Sequence, residues 1–283
     1  MAGAQLVGCD FSSAPSARKP IVLALGSMRA GVVRLCALQR LESLPAFGQW
    51  LKQPTAWVGA FDFPFGLPRE LLGALGWPLE WEPCIVHYAA LSRSEIRERF
   101  VAFCKARPAG AKFAHRATDG PAGSSPSMKW VNPPVAYMLH AGVPLLLAAG
   151  VRIPGLHAGR TDAGAPGVPD KVALEGYPGL LARELIGRRS YKSDALRMQS
   201  AQRRQGRESI VAALEQGRTR LGLQLALVGR QRDELLDDGR GDALDAVLCM
   251  LQAAWGQNMH AQGSASYGLP ARIDPLEGWI VSA

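Results

Sequence analysis

The stretch that ends at Asp62 constrains the fold more than any other part of the chain. It holds three short apolar runs, at 6–9, 21–25 and 32–38, joined by connections carrying Lys19-Pro20 and Arg29-Ala30-Gly31. Runs of strand length separated by tight turns predict an antiparallel meander. Residues 45–53 then show helical spacing through Phe47, Trp50 and Leu51, and they lead into a continuous apolar run at 56–62. A helical crossover into a buried strand makes that strand parallel to an earlier one, so the expected class is α/β with a mixed sheet. Parallel neighbours share one carboxyl edge, which is where sites of open α/β sheets form. Asp10 and Asp62 both fall at such strand ends.

Further along, 68–75 and 92–106 read as helices, the second capped by Ser92 or Ser94. The composition at 107–134 and 154–170 shifts to Gly, Pro, Ser and basic residues, which predicts long loops. A short strand pattern at 172–176 ends at Glu175, and helices are expected at 203–215 and 242–255, separated by an apolar segment at 221–228.

Acidic residues in four segments stand out against this frame. Asp62 lies between Phe61 and Phe63, followed by Pro64 and Phe65, so its carboxylate needs a compensating charge. An arginine partner or a metal ion would each supply one. Asp10 reads either as a turn residue or as a ligand, and Glu175 either as a residue bonding to the 176–178 turn or as a ligand. On the helix at 242–255, Asp242, Asp245, Cys249 and Gln252 fall at i, i+3, i+7 and i+10, a single polar stripe on an otherwise apolar surface. Asp242 reads equally as an N-cap and as a site residue. Taken together, hard oxygen ligands from several strand ends and one helix suit Mg²⁺ or Mn²⁺. Two such ions roughly 4 Å apart can activate water and stabilise the leaving oxygen of a phosphodiester.

The segments VGCDFSSAP, FDFPFGLP, LEGYPGLLAREL, YKSDALR, DALDAVLCMLQA and DPLEGWI resemble the motifs of the predicted RNase H-like nuclease family known as domain of unknown function 429. The resemblance runs in order from Gly8 to Ile280. It implies an RNase H-like fold with a mixed five-stranded sheet and flanking helices. It also implies that Asp10, Asp62, Glu175 and Asp242 or Asp245 form a catalytic, metal-binding constellation. Lys192, in the family-like YKSD segment, is the best single candidate for a phosphate contact.

Between Asp62 and Glu175 the chain is longer than a crossover needs, so an inserted helical and loop subdomain is expected at about 76–170 within a single domain spanning 1–283. Lys105, Arg107, Lys112, His115, Arg116 and Lys129 lie in or beside it. They read as a solvated basic loop or as a phosphate clamp, with Arg116 a substrate contact. Arg188, Arg189, Lys192, Arg203, Arg204 and Arg207 form a second basic concentration. Ser12 and Ser13 follow Asp10 and could contact substrate phosphate. The net charge of +8 favours a polyanionic partner such as nucleic acid.

The five cysteines are scattered, without a Cys-x-x-Cys pair, which argues against a zinc site and for a reducing compartment. No apolar run is long enough to cross a bilayer, so a cytoplasmic protein with no membrane partner is expected. No P-loop, Rossmann or Gly-x-Ser-x-Gly pattern is present. The expected activity is metal-dependent hydrolysis of DNA or RNA. Its rivals are an ATP-using phosphotransferase of the actin-like and sugar-kinase type and a non-catalytic nucleic-acid-binding module.

Overall fold

A computed structural model describes residues 4–160 and 170–283. The expected meander is formed by β1 (Gln5–Asp10), β2 (Ile21–Arg29) and β3 (Val32–Leu41), each antiparallel to the next. Helix α1 (Leu44–Lys52) follows. Ser43 accepts a hydrogen bond from Ala46 N (3.2 Å) and Pro45 sits in its first turn, where a missing N–H costs nothing. This crossover delivers β4 (Trp57–Phe61) parallel to β1, with Gly8 opposite Ala60 and Cys9 opposite Phe61.

Five helices then separate β4 from the next strand among the described residues: α2 (Arg69–Leu75), α3 (Trp81–Ala89), α4 (Arg93–Lys105), α5 (Asp119–Ala122) and α6 (Val135–Ala148). Helix α4 opens with a capping box between Ser92 and Glu95. The loop expected at 107–134 is interrupted only by the single turn of α5. Positions 161–169 of the loop expected at 154–170 lie outside the described residues. Strand β5 (Lys171–Glu175) pairs parallel with β4. The chain closes with α7 (Pro178–Ile186), α8 (Ala201–Glu215), β6 (Gln224–Ala226), α9 (Gly229–Asp237) and α10 (Asp242–Ala261).

The sheet has six strands in the order β5-β4-β1-β2-β3-β6, where five were expected. The extra strand is three residues drawn from the apolar segment at 221–228, lying parallel to the outer edge of β3. A strand this short carries too little alternation to be read from sequence.

Side-chain alternation splits the core into two layers. Val7, Cys9 and Phe11 of the β1 line, with Phe61 and Phe63 of the β4 line, pack against α1, α3 and α6. Leu6, Val58, Ala60, Val172 and Leu174 face α7, α8 and α10. Helix α10 lies directly across β1. A Cβ on Gly8 would stand 1.9 Å from Ala246 O and 2.2 Å from Met250 N, so only glycine allows this approach. Among the described residues no helix is long and apolar enough to cross a membrane.

Candidate metal and phosphate site

The alternation that builds the core also decides which acids meet. Asp10 and Asp62 end their lines on the α10 face, one residue beyond Cys9 and Phe61, and Asp62 N donates to Cys9 O (2.9 Å). The first turn of α10 brings Asp245 to the same place. Carboxylate oxygens of Asp10, Asp62 and Asp245 lie within 4.8 Å of one another. Asp10 and Asp62 are partly buried and Asp245 is fully buried.

Glu175 is absent from this group for a reason of register. It aligns with Phe61 and Cys9, whose side chains face the opposite layer, and the β5-line position beside Asp62 is Gly176. Glu175 therefore pairs with Arg116 across the other face. Its Oε1 accepts from Nη2 (2.7 Å), while Oε2 accepts from Nη1 (2.8 Å) and from Phe65 N (2.9 Å). Arg116 also bonds Asp119 through Nε (3.1 Å) and Nη2 (3.0 Å), and the Glu277 carbonyl through Nη1 (3.0 Å). Burial alone would lower this guanidinium, but Glu175 and Asp119 outweigh it and keep it charged. The strand-end acid that a buried arginine neutralises is thus Glu175, whereas among the described residues Asp62 has no arginine partner.

Arg116 is 3 % exposed and every side-chain nitrogen is engaged, so a structural role accounts for it fully. Arg116→Ala leaves Glu175 and Asp119 buried without a countercharge. It is expected to cost about 3 kcal/mol or more, read as a melting temperature lower by about 10 °C. An unchanged melting curve with weakened phosphate binding would make Arg116 a ligand contact instead.

The polar stripe of α10 faces inward. Asp245, Cys249 and Gln252 are all fully buried. Gln252 accepts from Tyr177 N (2.9 Å) and donates to Val281 O and Ser282 Oγ (3.2 Å each), tying the C-terminal segment to the turn after β5. Asp242 is not the N-cap: Gly241 holds that position at φ 78°, and Asp238 accepts from Ala243 N (2.8 Å). Asp242 is left to line the cleft beside Asp10 and Asp62.

Asp245 is held by two neighbours, the Tyr191 hydroxyl (2.5 Å) and the Lys192 ammonium. Burial would lower Lys192, yet Asp245, Tyr191, Asp10 and Asp62 together hold it well above the usual range. One ammonium does not balance the group. Burial, then Asp245 and Asp242, pushes the Asp10 carboxyl well up. Asp62 is raised to about 7 by burial, with Lys192 opposing and Asp245 and Glu175 adding to the rise. Asp242 is raised to about 6 by burial, then by Asp238 and Asp245. By themselves these side chains form a desolvated cluster with more acidic than basic groups.

A cleft of about 580 Å³ opens above these acids and is also lined by Ser12, Ser13, Lys19, Arg93, Lys192 and Arg240. Three of its cations were not singled out in the sequence. Lys19 pairs with Asp194 (2.9 Å), and Arg93 donates to Ser13 O (2.7 Å). Among the described residues the Arg240 guanidinium has no hydrogen-bond or ion-pair partner. The basic runs expected as clamps are largely used elsewhere: Arg107 pairs with Glu70, Arg204 with Asp237 and Glu208, and buried Arg207 donates to Leu236 O and Tyr191 O. His115 is exposed and outside the cleft. A larger recess of about 640 Å³ by Trp81 and Leu156 contains none of the clustered acids.

Comparison with protein-family models, with curated proteins and with solved structures finds no match to this chain.

Proposed function

We propose that the chain is a divalent-cation-dependent phosphodiesterase acting on nucleic acid in the cytoplasm, of the RNase H-like type. The observation that carries this reading is the convergence of Asp10, Asp62 and Asp245 at the carboxyl edge of parallel strands, beneath a cleft with a basic rim. The strand order β5-β4-β1-β2-β3, a meander with two parallel strands on its β1 side, supports the same reading. So does the resemblance of the six sequence segments to the RNase H-like nuclease family.

The donor set fits Mg²⁺ or Mn²⁺. All of its atoms are hard carboxylate oxygens, and among the described residues the group includes no histidine or cysteine that would favour zinc. Asp10, Asp62 and Asp245 would hold the cation, and Asp242 at the cleft wall extends the set toward a second. Bound there, a divalent ion supplies Lewis acidity for water activation and neutralises charge on a phosphodiester. The chain's own groups orient and neutralise. Tyr191 and Lys192 fix the Asp245 carboxylate, the Ser13 hydroxyl and the Arg240 guanidinium line the cleft without a hydrogen-bond partner among the described residues, and Lys19 and Arg93 add positive potential along its rim.

The test is hydrolysis of single- and double-stranded DNA and RNA with Mn²⁺, with Mg²⁺ and with EDTA. Cation-dependent cleavage that Asp245→Asn abolishes is the expected result. Cleavage that survives EDTA, or no cation-induced stabilisation of the protein, would sink the proposal. Arg240→Gln should weaken nucleic-acid binding across all sequences and reduce the slope of log affinity against log salt by about 1, as loss of one phosphate contact requires. An unchanged slope would remove Arg240 from the interface.

A further inference from the structure

A second cavity of about 300 Å³ adjoins the acidic cleft and shares Asp62, Pro133, Met138 and Lys192 with it. It has a more apolar character. Its walls carry Phe63, Pro133, Val135, Met138, Tyr177 and Ile280, and its charged groups are Asp62, Arg116, Glu175 and Lys192. Apolar walls with a small number of placed polar atoms describe a ligand pocket, and this volume is at the small end of that class. It suits one planar ring system.

The polar groups are specific. The Ser125 hydroxyl has no hydrogen-bond partner among the described residues, and Ser124 is already committed to Asp119 (3.0 Å). An ionised carboxylate has about four lone-pair positions. Arg116 and Phe65 N take three of those on Glu175, leaving Oε1 able to accept one more bond. Arg116 is shared by Glu175 and Asp119 and so offers no spare positive charge, which makes a neutral ligand with an N–H donor a better fit than an anion.

Resting on the reading above, we infer that this cavity receives one unstacked nucleobase while the phosphate of the same nucleotide lies over Asp10, Asp62 and Asp245. A base buried between apolar and aromatic side chains cannot remain in a duplex, so the substrate class is a single-stranded or terminal nucleotide. Glu175 accepts from an exocyclic amine, which makes adenine a suitable probe. Val135, which lines this cavity and not the acidic cleft, marks where it can be filled without touching the cation ligands.

The experiment measures binding of adenosine 5′-monophosphate and of ribose 5-phosphate to the full chain by calorimetry, with Mn²⁺ and with EDTA. The nucleotide is expected to bind about tenfold or more tighter than the sugar phosphate, the range that stacking of one base supplies. Val135→Trp should erase that difference while leaving ribose 5-phosphate affinity unchanged. Ser125→Trp serves as a second filling variant should Val135→Trp lower the melting temperature. Equal affinities for the two ligands in Mn²⁺ overturn the base pocket and leave the cation reading intact. A base preference that persists in EDTA, with ribose 5-phosphate affinity no greater in Mn²⁺, upholds the pocket and counts against the cation reading. Absence of binding by both ligands overturns both.

Discussion

Asp62→Asn is expected to abolish hydrolysis, to remove the stabilisation by Mn²⁺, and yet to leave the metal-free protein as stable as wild type or more so. The three effects share one cause. Asp62 is a desolvated carboxyl crowded by Asp245 and only partly relieved by Lys192, so the amide keeps the shape and removes the repulsion. Its folded-state pKa of about 7 lies above the unfolded value of about 4, so the native state binds the additional proton between those limits. The stability this gives is fully present below about pH 4 and is lost as pH rises through about 7. Asp242, raised to about 6, acts in the same direction. Melted in EDTA from about pH 5 to about pH 8, wild type should lose on the order of 2 kcal/mol relative to Asp62→Asn, a difference of several degrees. Mn²⁺ needs deprotonated ligands, so its stabilising shift should grow over the same interval. If the mutant keeps the full Mn²⁺ shift and activity, Asp62 is no ligand.

The parts of this molecule legible in the sequence are those set by local pattern. Apolar runs of strand length, the helical spacing of Phe47, Trp50 and Leu51, and turn residues at Pro20 and Gly31 were enough to place β1 to β4, a parallel pairing of β4 with an earlier strand, and Asp10 and Asp62 at carboxyl strand ends. The polar stripe of α10 was also visible. What was hidden depends on partners distant in the chain. Glu175 meets Arg116 across a separation of 59 residues, and composition alone cannot separate a basic loop from a buried ion pair. A signal did exist for Glu175: it alternates with Leu174 and Val172, so in register with Phe61 it faces away from Asp62. Likewise the cleft cations Lys19, Arg93 and Arg240 are isolated in sequence and come together only through the fold, whereas the dense basic runs are largely consumed by structural pairs.

Gly8→Ala should be among the most damaging single changes in the chain, although Gly8 bears no functional group. The first atom of any side chain there would penetrate the α10 backbone at Ala246 O and Met250 N. Both contacts are to main-chain atoms of a buried helix, so no rotamer change relieves them, and the helix must lift from the sheet. Overpacking of cores commonly costs about 1–3 kcal/mol where side chains can yield. Here the loss is expected to exceed about 4 kcal/mol, because a helix and its packed face must move together. The consequence reaches the site through geometry. Asp10 lies two residues beyond Gly8 on β1, and Asp245 adjoins Ala246 on α10, so the separation that Gly8 permits is the one that closes the carboxylate cluster. Any Gly8→Ala protein that remains folded should therefore bind Mn²⁺ more weakly with every ligand still in place. Titration of the melting temperature with Mn²⁺ reads this directly. A mutant with a lowered melting temperature but an undiminished Mn²⁺ shift would show that the cluster does not depend on how closely α10 approaches β1.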